Sequence, residues 1–285
     1  MKFENIKVFN FEGALRGMRN PKNSWHLSDS CFGKGERDNI DGYIDEVATC
    51  WANAWANQVD FCDDRDKQAT YDNYYHWLAY NGLMNLDNDI YDYAFIGPKD
   101  MKLAAALISG GSEHRKFLRQ IMVTVDITAP LYWWKEFDTY KVGTTANSTS
   151  TMHKITSKPI TLDCFEIDDY DDSLLIGLTS TGDPYNVGVY TEDFIDFLEN
   201  LRLKYLETND KTYWKELIRW LPEGWLQTRT VTMNYENLLS MVHQREHHKL
   251  TEWSGDGESF VNESFIKFAK SLPYANEFIF CQKRD

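Results

Sequence analysis

Residues 121–128, IMVTVDIT, read as a β-strand held between two helix-forming segments, so the chain must mix strand with helix. Upstream, PKDMKLAAALISGG (98–111) starts with a proline suited to a first helical turn and stops at a glycine pair. Downstream, Pro130 opens LYWWKEFDTYKV, read as a helix with proline in its first turn. No GxGxxG or GxxxxGK[ST] run occurs, which leaves out a dinucleotide fingerprint and a P-loop. GGSEH at 110–114 reads as a helix stop.

The remaining chain supports the same class. KVFNF near the start suits a strand, and GALRGMRNPKNSW, rich in Gly, Asn and Pro, reads as a loop. Residues 31–98 form an acidic, aromatic block in which Trp51, Trp55, Val59 and Cys62 have helical spacing. Residues 155–187 read as irregular and acidic. TEDFIDFLENLRLKYLET and KTYWKELIRWL are expected helices before the break LPEGW. The stretch 230–253 is expected to be largely helical, with another helix at 258–272.

With 285 residues the chain can bury a sizeable core, and its 10 Trp, 16 Tyr and 16 Phe suit cores and ligand pockets alike. A net charge of −14 opposes non-specific binding to duplex nucleic acid, while a small anionic ligand can still be held by local cations. The five cysteines form no CxxC pair and read as reduced thiols. No 18-residue apolar run appears, and the reading is a soluble, intracellular protein without membrane contact.

Three constellations carry possible chemistry. In NYENLLSMVHQREHHKLTEW (234–253), Leu238, Met241 and Val242 form an apolar stripe. Arg245 follows an apolar turn and precedes two histidines; it is either part of a solvated face or a contact for a carbonyl, carboxylate or phosphate. His243 and His247 stand four apart, but the order HQREH is not HExxH and no cysteine pair completes a site, so no metal is expected. In TTANSTSTMH (144–153), Ser150 and His153 lie three apart without a GxSxG elbow, and the stretch is either a polar linker or a set of short donors for an anion.

Two segments together resemble the flavin-dependent thymidylate synthases (the ThyX family). From Asp100 to His153, the helix DMKLAAALISGGSEH, the strand QIMVTVDITAP, a helix and the polar loop follow the family's order of a GHE-type turn, a strand ending in AP, a helix carrying RHR and a loop of type SxNExSxRY. From Leu221 to Trp253, LP followed by TMNYENLLSMVHQR matches the family pattern LP…NxxxxxxFLxLR, and HKLTEW parallels its HAQWE with a one-residue shift. The run also looks like phage-encoded relatives of this family.

The resemblance implies an α+β fold, a central antiparallel sheet flanked by helices, in one domain over 1–285 with an insertion at about 31–98. It implies a methyltransferase-type enzyme that moves a one-carbon unit to C5 of dUMP or a related pyrimidine nucleotide, with FAD as cofactor and NADPH and methylene-tetrahydrofolate as co-substrates. A cytoplasmic homo-oligomer, a tetramer with sites at subunit interfaces, is implied as well. The alternative is a degenerate member that only binds or senses nucleotides. By the same resemblance Arg245 contacts the uracil ring, and Ser150 takes the phosphate with Asn147 and Thr149 beside it. Lys141 serves nucleotide and cofactor, while His114, Gln120 and Asn234 contact the flavin. The RHR triplet is replaced by Thr139-Tyr140-Lys141, and Met152 and His153 replace an arginine and a tyrosine. Stand-in cations are expected from Lys135, Arg115, Arg119, Arg16, Arg19 or another subunit.

Overall fold

A computed structural model of the chain describes residues 1–36, 90–111, 113–255 and 263–281. In chain order these hold β1 (Lys2–Phe9), α1 (Phe11–Arg19), β2 (Cys31–Glu36), β3 (Ile90–Phe95), α2 (Pro98–Ser109), β4 (Met122–Pro130), α3 (Leu131–Phe137), β5 (Thr145–Ser148) and α4 (Thr151–Lys154). Then follow β6 (Leu175–Leu178), β7 (Pro184–Asn186), α5 (Val187–Thr208), α6 (Lys211–Arg219), β8 (Leu226–Asn234), α7 (Tyr235–Arg245), α8 (Thr251–Ser254), α9 (Phe265–Lys270) and α10 (Ala275–Phe278). The expected helix around Trp51, Trp55, Val59 and Cys62 lies outside the described residues, as does the start of the one expected at 258–272.

The central sheet is antiparallel with the order β1-β4-β8-β5, and helices flank it, as expected. Alternation on β4 explains which face they cover. Val123, Val125, Ile127 and Ala129 are fully buried, and they pair in register with Met233, Val231, Arg229 and Gln227 of β8. The opposite face is polar and wet. There Thr124 meets Thr232 (3.1 Å), Thr128 meets Thr228 (2.7 Å), and Thr230 donates to Asp126 (2.5 Å).

Two expectations are corrected. The segment GALRGMRNPKNSW is not a loop throughout, because α1 runs to Arg19. Phe11, Ala14, Leu15 and Met18, spaced as one helical stripe, are buried there. Its glycines do not stop the helix; they admit neighbours. A Cβ on Gly13 would stand 2.3 Å from Asn10 Oδ1, and one on Gly17 would stand 2.6 Å from Gln120 Oε1. The stretch from 230 is not helical at its start either, because TVTMN ends strand β8. Long-range pairing to β4 and β5 overrides a local pattern that merges into α7. Two smaller differences follow the same logic. Pro130 closes β4 and precedes α3, and the irregular 155–187 segment contains the β6–β7 hairpin.

The main core fills the space between the sheet and α1, α2, α3, α7, α9 and α10. A second, smaller core of Ile155, Ile160, Cys164, Phe165, Leu198, Leu217 and Trp225 lies under α5 and α6. Cys164 is a buried free thiol and Cys281 a half-buried one. No helix among the described residues is long and apolar enough to cross a membrane.

Candidate functional site

Helix α3 is the hub of the site. It has no side-chain cap; instead the Leu131 and Tyr132 N–H groups donate to the carbonyls of Trp225 and Glu223 in the LPEGW turn (both 3.1 Å). Its residues then take separate partners. The Tyr132 hydroxyl donates to buried Glu252, and Trp133 stacks on Trp253 at 4.5 Å. Trp134 donates to the Gln227 carbonyl (2.9 Å), and Glu136 accepts from Arg245 (2.8 Å). Burial first, then the bond to Glu252, raises the pKa of Tyr132 far above the ordinary phenol value, so it remains a donor.

Two arginines pair with carboxylates at the C-terminal end of α3. Arg245, at the end of α7, gives Nε to the Tyr140 hydroxyl (2.8 Å) and lies over the rings of Trp253 (4.8 Å) and Tyr140 (5.6 Å). Arg229, on the helix-covered face of β8, lies 4.2 Å over Trp134 and donates to Asp138 (2.8 Å) and Gln227 (2.9 Å). His248 approaches the same Glu136 carboxylate (3.5 Å). Each guanidinium is thus stacked on an aromatic plane and paired with a carboxylate of its own chain.

The polar stretch 144–153 is an edge strand followed by a short helix. Thr145–Ser148 pairs with β8, the Thr149 N–H donates to the Thr228 carbonyl (2.9 Å), and Ser150 caps α4. Period-two alternation divides the candidates. Ser148 lies opposite Arg229 on the helix-covered side, whereas Asn147 lies opposite Thr230 on the open side. Within one chain the sheet therefore separates Asn147 from Arg245. Thr149 and Ser150 continue from β5 toward Gln227, whose side-chain amide donates to the Thr149 carbonyl (3.1 Å). Ser150 Oγ sits 2.7 Å from His153 Nδ1 and accepts the His153 N–H (3.3 Å), a local cap bond on the surface.

Of the four residues expected to meet a flavin, Asn234 stands at the other end of α7 and the other three lie on segments that reach it, with the Gln120 amide against Gly17 of α1 and the His114 ring against Gly110. Asn234 is its N-cap, and its side chain accepts the Asn237 N–H (2.9 Å) in a reciprocal cap. Gln120 precedes Ile121, whose carbonyl accepts the Tyr235 N–H (3.1 Å). His114 precedes Arg115, which donates to Glu236 of the first turn at 2.8 and 2.9 Å. Lys141 lies on the strap Tyr140–Gly143, which runs back along α7 from Arg245 to Asn234. The strap is pinned where Asn237 donates to the Val142 carbonyl (2.6 Å) and where Gly143, at φ 78°, packs on Asn234 and Asn237. The buried Thr144 hydroxyl, next to Gly143, has no hydrogen-bond partner among the described residues, and an unpaired donor beside a helix N-terminus suits an anionic, hydrogen-bonding cofactor such as FAD.

Most expected stand-in cations are engaged elsewhere. Arg19 is buried with Asp100 (2.5 Å), Arg115 holds Glu236, Lys135 holds Glu223 (2.5 Å), Arg16 lies over Trp25, and Arg119 is exposed. The sequence reading missed Arg229, Glu136 and Asp138. The TRT alternation in β8 was the available signal for Arg229, because it sets that side chain apart from the threonines.

No protein-family model and no curated protein matches the chain. Among solved structures, it is similar to a flavin-dependent thymidylate synthase ThyX from Helicobacter pylori complexed with FAD and dUMP. The identity is 16%, covering 66% of this chain and 85% of that one, with a TM-score of 0.44. It is also similar to a UMP/dUMP methylase PolB from Streptomyces cacaoi bound with 5-Br UMP, at 13% identity, 65% and 83% coverage and a TM-score of 0.43.

Proposed function

We propose that the chain is an enzyme that binds a pyrimidine nucleoside monophosphate at the end of α3 and methylates it at C5 with the help of FAD. The observation that carries this reading is that Arg245 and Arg229, each stacked on aromatic planes, both pair with carboxylates at the end of α3, with Ser148 of the hydroxyl-rich loop opposite Arg229. A flat, polar ring with carbonyl oxygens and a phosphate suits such a surface: the guanidinium planes meet oxygens in pairs, and short hydroxyls donate to an oxyanion.

In this reading Arg245 contacts the ring carbonyl and polarises it as negative charge develops there. Ser150 and Thr149 donate to the phosphate. Asn147, on the opposite side of the sheet, serves a site completed by another subunit of the homotetramer that the family resemblance implies. His114, Gln120, Asn234 and Lys141 hold FAD at the start of α7. When bound, reduced flavin supplies the hydride and relays the one-carbon unit, with methylene-tetrahydrofolate and NADPH as co-substrates.

One observation favours a second reading, a nucleotide-binding protein without turnover. Glu136 and Asp138 already occupy both arginines, and a ligand must displace at least one of them. An absorption spectrum taken before and after adding FAD and desalting, with dUMP titrated by calorimetry, separates the readings. Retained flavin absorbance with dUMP binding supports the enzyme. Binding without flavin supports the second reading, and neither binding nor flavin overturns both.

A further inference from the structure

We infer that the β6–β7 hairpin and the adjoining side of α5 form a docking surface for a basic, partly apolar segment of another protein. Leu174, Leu175, Ile176 and Leu178 are 56–68% exposed, four large apolar side chains in a run of five. Among the described residues β6 and β7 pair only with each other, so both outer edges keep free backbone groups. A two-stranded hairpin in water is marginal alone, yet this one is held firmly. The Thr179 N–H donates to the Asp183 carbonyl (2.8 Å), and Val187 and Gly188 donate back to Leu174 and Asp172 (both 2.9 Å).

The apolar surface continues onto α5. Tyr185 meets Tyr190 edge-on, Tyr190 stacks on Phe194, and Phe194 stacks on Phe197. Tyr190 and Phe197, both exposed, extend it by about 10 Å along the helix. Contiguous apolar surface framed by charge marks an interaction site.

Charge decides the occupant. Between residues 159 and 201 the sequence holds eleven Asp or Glu and no Lys, Arg or His, out of a net −14 for the whole chain. Asp193 lies on α5 between Tyr190 and Phe197, and Asp172 and Asp183 flank the hairpin. A second copy would bring the same acidic frame against itself across a two-fold axis. Residues 37–89 of this chain, with eleven acidic residues against three Lys or Arg, are opposed for the same reason. Nucleic acids and anionic lipid surfaces are repelled. A cationic polypeptide with apolar side chains satisfies both features of the surface, and the free edge of β6 offers it strand addition.

The test is fluorescence anisotropy of the full chain with a labelled synthetic peptide of alternating Leu and Lys. The variants are Leu175→Ser/Leu178→Ser and Asp193→Asn/Asp196→Asn, with Glu113→Gln as control and circular dichroism as a check on folding. Each double variant is expected to weaken binding roughly tenfold, and the Asp→Asn pair to reduce the salt dependence, while the control binds as wild type. If the Leu→Ser pair does not fold, the Asp→Asn pair decides alone. Wild-type affinity in both double variants, or no binding of the peptide by the wild type, overturns the inference. A dimer on light scattering that Leu175→Ser/Leu178→Ser dissolves overturns it too, by making the occupant a second copy.

Discussion

Arg245 is the residue on which the proposed nucleotide binding turns, and its partners make the first prediction two-sided. Arg245→Ala removes a charge-assisted contact, for which about 1.5–3 kcal/mol is usual, so dUMP affinity should fall by roughly tenfold or more. Glu136→Gln removes the carboxylate that now holds Arg245 at 2.8 Å, and it should tighten dUMP binding. Calorimetric titration of both variants checks the pair; unchanged affinity in Arg245→Ala removes this residue from the site. Ser150→Ala should weaken dUMP more than deoxyuridine, because only the former has a phosphate for Oγ. Equal weakening of the two ligands would tie Ser150 to capping α4 alone.

At the scale of elements, the strap from Tyr140 to Gly143 joins the two ends of α7. Gly143 sits at φ 78°, and a Cβ there would stand 2.9 Å from both Asn234 and Asn237. Gly143→Ala should therefore destabilise the protein by about 1–3 kcal/mol in urea unfolding and loosen the cap of α7. Helix α5 is fastened differently. Glu199 accepts Arg202 Nε (2.8 Å) and Nη2 (2.6 Å) and the Ile160 N–H (2.8 Å), while Arg202 donates to the Thr156 carbonyl (3.1 Å). Arg202 first, then the Ile160 N–H, holds the Glu199 carboxyl below its ordinary value of 4.5. A depressed carboxyl contributes stability that is present above the unfolded value and is lost as pH falls through the folded one. Melting temperature should thus fall as pH drops below 4.5, and Glu199→Gln should flatten that fall. An identical acid profile in the variant would rule Glu199 out as a contributor.

The whole molecule has two cores that meet near the start of α3, where Leu131 packs on the smaller one while Trp133 and Trp134 belong to the larger. Leu198, fully buried in the smaller core, should cost about 2–4 kcal/mol as Leu198→Ala. Because it touches none of the residues around Arg245, dUMP affinity at a temperature where the variant is folded should match wild type. Loss of affinity in the folded variant would show that the cores act as one unit. The acidic charge is also a whole-molecule property. Along the sequence it is heaviest in residues 159–201, which include the hairpin, whereas the two arginines at the end of α3 are each paired with a carboxylate of their own chain.

Local pattern alone determined a good deal. Pro98 and the glycine pair bound α2, IMVTVDIT gave β4 through its alternation, and α5 and α6 lay where their apolar spacing put them. Leu238, Met241 and Val242 form the buried stripe of α7 because period 3.6 is written in the residues themselves. Contacts distant in sequence decided the rest. GALRG is a helix because Asn10 and Gln120 pack where its glycines lack side chains, and TVTMN is a strand because β4 and β5 supply its hydrogen bonds. The pairings within the candidate site belong to this second category. Glu136 and Arg245 stand 109 residues apart, Asp138 and Arg229 stand 91 apart, and only the packing of α3 between sheet and α7 makes either pair neighbours. A chain's residue types announce which charges it owns; which of them are left for a ligand depends on partners that folding brings from far along the sequence.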